Sequence, residues 1–225
     1  LKDLGKPVDR TKWLMSPQEV NAYYMPTTNE ICFPAGILQP PFFNMEADDA
    51  VNYGAIGVVI GHEMTHGFDD EGSNFDKDGN MNNWWTAEDR QKFEATTQRL
   101  AKQFSSVTVA PGLKANGELT LGENIADQGG LTIAYLALQL AGEGQQTMKI
   151  DGLTPAQRFY IAYARLWGQN ITEAEIRRLT KLDPHSLGIL RVNQALRNLD
   201  TFHQAFHIRP ADKMYLAPSS RVIVW

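Results

Sequence analysis

The sequence predicts one compact, mainly helical α+β domain with a small sheet, and three observations carry that expectation. Helix-capping residues recur ahead of apolar-periodic stretches, at Asp48 or Asp49, Thr86, Thr154 and Thr172. Aromatic and β-branched residues interrupted by proline mark the stretch NAYYMPTTNEICFPAG, 21–36. No internal repeat and no low-complexity linker divides the 225 residues, 43% of them hydrophobic, so one core of useful size can form.

Taken in order, SPQE predicts a short helix, with Ser16 as N-cap, Pro17 at the first helical position and Glu19 closing a capping box. The stretch 21–36 reads as two short strands broken by Pro26 and Pro34. Residues 50–67 are apolar almost all round until His62, which predicts a buried helix with a polar end. The run 68–85 is turn-rich, with Asp78 and Gly79 as a two-residue hairpin signal. Its Asn74, Asp76 and Asp78 resemble half a calcium loop, but Trp85 stands where that loop needs a bidentate glutamate, so a hairpin is the expectation. Thr86 caps a helix whose Phe93, Leu100 and Phe104 share a face. VAPGLKANGE reads as a loop. A long helix follows from about 121 to 140, ended by Gly142 and Gly144. Thr154 with Pro155 opens the next helix, TEAE at 172–175 is a further capping box, and 183–225 mixes loops with one or two helices.

Composition excludes several function classes. Twenty-one basic against 26 acidic residues give a net charge of −5, and no basic run exceeds a pair such as Arg177 and Arg178, which argues against nucleic acid. The longest apolar stretch, AIGVVIG, is far below the roughly 20 residues of a membrane span. One cysteine, Cys32, rules out an internal disulfide framework. The chain starts at Leu1 with neither a basic nor an apolar leader region, and is expected to be a processed or truncated piece.

VIGHEMTHGFDD, 59–70, carries the chemistry. At about 100° per residue, His62 and His66 lie about 40° apart around a helix and one turn apart along it, so both imidazoles can reach one metal. Glu63, rotated by about 100°, misses the ion but can hydrogen-bond a water beside it. This is the spacing that zinc-assisted hydrolysis asks for, with the carboxylate taking a proton as water attacks a carbonyl. A solvated helix face is the plain competitor, but the rest of this helix is too apolar for one, and polar groups on a buried helix need partners. A catalytic zinc also needs a third protein ligand and an open position. The candidate is Glu123 in LGENIADQGGL, preferred to Glu118 because Asp127 lies four residues on and shares its face. Asp127 can accept the second ring N–H of a ligating histidine, and so can Asp69.

Read together, NAYY, FPAGILQPPFF, VIGHEMTHGFDD, GENIADQGGL and DPHSLGILRV resemble, in that order, the catalytic domain of the neprilysin and endothelin-converting-enzyme family of zinc metallopeptidases, including its bacterial oligopeptidase members. The resemblance runs from about Ser16 to Trp225 and implies a thermolysin-like zincin fold with an active-site helix bearing the H-E-x-x-H motif. It implies one zinc per chain held by His62, His66 and Glu123, with Glu63 as general base and Asp69 and Asp127 behind the ligands. By the same matching His185 stabilises the oxyanion and Arg191 holds a substrate carbonyl. Asn21 and Ala22 match the edge along which substrate is laid as an added strand. Ile37, Phe42, Val58, Val59, Leu166 and Trp167 match a pocket for the side chain after the cleaved bond.

The implied activity is endopeptidase cleavage of oligopeptides on the amino side of large hydrophobic residues. Gly168, Ile208 and Ser220 stand where animal members carry half-cystines, which points to a bacterial member. The family's N-terminal helical lobe is not among residues 1–225, so the chain is expected to be the C-terminal catalytic part of a longer protein, with that lobe as a partner. The alternative expectation is a peptide-binding module that holds metal without turnover because the covering lobe is missing. A periplasmic or extracellular location, lipid-anchored or free, is favoured over the cytoplasm.

Overall fold

Asp48 opens the helical run that organises the molecule, its carboxylate accepting the Ala50 N–H at 3.1 Å. The computed structural model describes residues 2, 4–142 and 148–225. In it the run comprises α1 (Asp49–Asn52), one wide π-helical turn (Tyr53–Gly57), α2 (Val58–Thr65) and a tighter 3-10 turn (His66–Phe68). The expected single helix over 50–67 is therefore present, with an irregular turn in its middle.

Two short antiparallel strands precede it, β1 (Tyr23–Met25) and β2 (Glu30–Cys32), with Tyr23 opposite Cys32. After it, Gly79 takes φ +80° in the tight turn, Asp76 N–H bonds to the Asn80 carbonyl at 2.9 Å and Phe75 pairs with Met81, which makes the expected hairpin. The helix capped by Thr86, α3 (Ala87–Ser105), buries Phe93, Leu100 and Phe104 as its periodicity predicts. A hairpin of β3 (Thr108–Ala110) and β4 (Leu113–Lys114) follows where a loop was expected. Its tip holds Gly112 at φ +68°, a conformation glycine adopts at little cost.

The long helix α4 (Leu121–Ala141) crosses α2. At the crossing Gly61 faces Gly130: a Cβ on Gly61 would lie 2.9 Å from the Gly130 Cα, and one on Gly130 would lie 2.6 Å from the Val58 carbonyl oxygen. Only glycine lets two backbones approach this closely. The crossing brings the first turn of α4 beside the end of α2. Gly142 caps α4, and Gly144, the second expected terminator, lies outside the described residues.

Among the described residues four α-helices follow: α5 (Pro155–Leu166), α6 (Glu173–Leu182), α7 (Gly188–Leu196) and α8 (Asp200–Ala205). Thr154 and Gln157 form a full capping box on α5. One core gathers Val58, Leu131, Phe159, Tyr160, Tyr163 and Phe202, and a second gathers Phe93, Leu100, Phe104, Ile125 and Leu190. Helix α4 feeds both, Leu131 into the first and Ile125 into the second. Each fully buried side chain of this size is worth about 1.5–3 kcal/mol, so α4 is held firmly on two sides.

Two expectations are corrected. Residues 16–19 form a turn, not a helix. The Ser16 N–H does bond to Glu19 Oε1 at 2.8 Å, but the Pro17 carbonyl accepts from the Gly36 N–H at 2.8 Å, which ties the segment to residues far along the chain instead of to a following helical turn. At Thr172 only half of the capping box forms: its hydroxyl accepts from the Glu175 N–H, while the Glu175 carboxylate turns to Arg178 at 2.7 Å.

Candidate active site

His62 and His66, one turn apart on the continuous helix, bring their Nε2 atoms within 3.0 Å of each other, with ring planes at 89°. From the first turn of α4, Glu123 sets Oε2 3.2 Å from His62 Nε2 and Oε1 3.7 Å from His66 Nε2. One ligand atom from each of the three lies within 4.8 Å of the others. The opposite ring nitrogens are already engaged. His62 Nδ1 is 3.0 Å from Asp127 Oδ1, and His66 Nδ1 is 2.7 Å from Asp69 Oδ2. Asp127 therefore serves His62 and Asp69 serves His66, a division that spacing alone left open. Asp69 is itself fixed by the N–H groups of Glu71 and Gly72 at 2.9 and 2.7 Å.

Two imidazole Nε2 atoms and a carboxylate converge on one point, with their outer atoms tied to carboxylates that set the tautomer. Buried Glu123 Oε2 has no hydrogen-bond partner of good geometry. This donor set fits a divalent zinc ion with one side left open.

Electrostatics tighten the cluster. Burial alone would lower His62, but its hydrogen bond to Asp127 and the Glu123 carboxylate 3.2 Å away outweigh that and raise it to about 9. Burial would raise Glu123, yet the His62 imidazole 3.2 Å away and the nearby His185 and His66 rings bring it down to about 2. For Asp127, 2% exposed, the Arg191 charge and the His62 hydrogen bond overcome burial and hold the carboxyl well below the usual range. Arg191 grips it through Nε at 2.7 Å and Nη2 at 2.6 Å, and lies over the Trp167 ring at 3.7 Å. Glu63, 5% exposed, differs: burial raises its carboxyl, because no partner compensates fully. A group poised in this way can hold and release a proton.

His185 arrives from the loop before α7. Its Nε2 is 3.3 Å from Glu123 Oε1, and its Nδ1 is 2.8 Å from Asp183 Oδ1, which also accepts the His185 backbone N–H at 2.9 Å. Asp183 was not among the sequence candidates. The signal for it was the Asp-x-His spacing of an Asx turn.

A cleft of about 670 Å³ runs over these groups, and every residue that the resemblance marked for the site lines it. Asn21 and Ala22 lie on one rim, leading into β1, whose second edge carries no strand among the described residues. Of the apolar residues expected to form a pocket, all of which line this cleft, Ile37 and Val58 are buried and Phe42, Val59, Leu166 and Trp167 are half-buried. Tyr163 also lines the cleft without having been singled out; its hydroxyl donates to the Arg191 carbonyl at 3.1 Å.

The chain is similar in sequence and fold to known proteins. The chain is 49% identical to a zinc metalloprotease of Mycobacterium tuberculosis solved in complex with inhibitor, over 98% of this chain and 35% of that one, with a TM-score of 0.95. It is 42% identical to Neprilysin-3 of Drosophila melanogaster over its full length and 29% of the fly protein. With the Neutral endopeptidase of Lactococcus lactis subsp. lactis it shares 40% identity over 98% of this chain and 34% of that protein. The chain thus spans about three tenths of the length of the curated relatives it matches. Among the described residues no helix is long and apolar enough to cross a membrane. The sequence profile of peptidase family M13 matches residues 21–222, and with relatives more than 40% identical over almost the whole chain, the chain belongs to that family.

Proposed function

We propose that the protein is a zinc-dependent endopeptidase that cleaves oligopeptides on the amino side of large hydrophobic residues. The observation that carries this reading is the convergence of His62, His66 and Glu123 within 4.8 Å, with Glu63 in the same cleft. When bound there, zinc supplies Lewis acidity to the scissile carbonyl and to the attacking water. Glu63 takes the proton from that water and passes it to the leaving amine, which suits a carboxyl raised by burial. His185, supported by Asp183, turns Nε2 toward the oxyanion. Arg191 uses Nε and Nη2 on Asp127, which leaves Nη1 for a substrate carbonyl.

Asn21 and Ala22 offer backbone groups to a peptide lying along the open edge. The apolar cleft residues accept side chains such as Phe or Leu, with moderate preference, since one methylene in such a pocket is worth about 1–3 kcal/mol. A further lobe of the same protein is the partner this reading assigns to the cleft, in keeping with relatives about three times as long. A periplasmic or extracellular setting, lipid-anchored or free, belongs to the same reading, and one mouse relative is named Membrane metallo-endopeptidase-like 1. The reading as a binding module without turnover is not favoured, because Glu63 and His185 line the same cleft as the donor set.

The test is incubation of the purified protein with a peptide containing one internal Phe. Cleavage before Phe that a chelator abolishes and zinc restores supports the proposal. No cleavage, or cleavage indifferent to chelator, refutes it.

A further inference from the structure

A chain of three buried polar side chains joins the loop bearing His185 to the helix bearing Glu123. Ser186 Oγ donates to Asn124 Oδ1 at 2.7 Å, Asn124 Nδ2 donates to Thr120 Oγ1 at 2.9 Å, and Thr120 Oγ1 donates to the Asn116 carbonyl at 3.0 Å. Ser186 and Thr120 oxygens also lie 3.1 Å apart. Exposure is 7% for Ser186, 2% for Asn124 and 5% for Thr120. Each hydroxyl has one proton, so these bonds run in one direction and fix which way the Asn124 amide faces.

The placement is what matters. Ser186 directly follows His185, and Asn124 directly follows Glu123, whose side chains approach to 3.3 Å. Burial does not need these bonds, because Leu187 and Leu190 already anchor the loop and α7 against Ile125 in the second core. Apolar contact is non-directional, and it tolerates sliding of a loop along a helix. A buried hydrogen-bonded chain does not, since any shift leaves a donor or acceptor unpaired away from water. Asp183 orients the His185 ring, and nothing in that pair refers to α4. Further along, the Arg191–Asp127 pair fixes α7 on α4; beside His185 itself the directional bond between loop and helix is the one from Ser186 to Asn124.

We infer that Ser186, Asn124 and Thr120 are positioning residues that hold His185 in register with Glu123 and so govern turnover and not substrate affinity. The inference rests on the peptidase reading above and names what sets its rate.

The experiment compares zinc-loaded wild type, Ser186→Ala, His185→Ala and the double variant on the Phe-containing peptide. Ser186→Ala is expected to lower kcat about tenfold with KM unchanged within twofold and zinc content unchanged. In the His185→Ala background it is expected to cost nothing further, because the lock then has nothing to position. Thr120→Val, which keeps shape and removes the hydroxyl, should repeat the pattern and serves if Ser186→Ala does not fold. A folded Ser186→Ala with wild-type kcat, or losses that multiply in the double variant, would overturn the inference. A crystal structure of Ser186→Ala reads the lock without turnover: His185 displaced from Glu123 supports it, and His185 unmoved overturns it. Loss of all cleavage in the wild type would count against the peptidase reading alone, with the crystal structure still deciding the lock.

Discussion

Arg191 and Asp127 form a two-pronged ion pair, 2.7 and 2.6 Å, in a place almost closed to water, and the same Asp127 oxygen that meets Arg191 Nη2 also meets His62. Breaking such a pair on one side leaves the other charge buried and unpaired. Arg191→Ala should therefore cost about 3–5 kcal/mol in urea unfolding of the metal-free protein. Arg191→Lys keeps the charge but not the fork or the stacking on Trp167, and should fall between. Equal stability of all three proteins would show that the pair holds nothing.

Glu63→Gln keeps shape and removes the proton acceptor. Zinc should stay at about one per chain by metal analysis, because Glu63 lies outside the donor set. Turnover should fall by about 10²-fold to 10⁴-fold or more. Undiminished cleavage with metal retained would remove Glu63 from the mechanism.

Asp69→Asn addresses the support behind His66. The carboxylate accepts from the ring at 2.7 Å and is held by two backbone N–H groups. Its loss should weaken zinc binding about 10-fold to 100-fold in a chelator competition. Affinity within twofold of wild type would leave Asp69 a role only in shaping its turn.

Asp70 gives a pH signature of stability. Burial and the neighbouring Asp69 raise its carboxyl from 3.8 to about 6, and its Oδ1 has no hydrogen-bond partner. A carboxyl raised in the folded state favours folding while protonated. Its contribution is complete below pH 3.8 and is lost as pH rises through about 6. Asp70→Asn avoids that loss, so its advantage should grow between pH 4 and 6 and level off above. The group is partly open to solvent, which limits the gain to about 1 kcal/mol. Melting curves of the metal-free proteins across this range measure it, and an advantage independent of pH would point to packing instead.

Capped helices were legible in the sequence because cap chemistry is local: Asp48, Thr86 and Thr154 each bond to an N–H two or three residues on. The turn at 16–19 misled for the complementary reason. Its own residues favour a helix, and a distant Gly36 claims the Pro17 carbonyl. The β3–β4 hairpin is too short for alternation to show, and its Pro111–Gly112 tip reads as loop. In the cleft, the positions of His62, Glu63 and His66 follow from helical spacing. Those of His185, Arg191 and the apolar cleft residues depend on how loops and helices distant in sequence pack, and only the resemblance marked them. Asp183 and the Ser186–Asn124–Thr120 chain escaped notice, since serine, threonine and asparagine bear no signature until folding brings them together.

The Gly61–Gly130 contact turns main chain into a gauge. At that one contact, between the helix with two imidazoles and the helix with their carboxylate, no side chain stands to compress, swap or rotate, so the gap there is calibrated by atoms that all sequences possess. Repacking of either core can proceed around that fulcrum without respacing the donors, whereas one added methyl at the fulcrum would pry them apart.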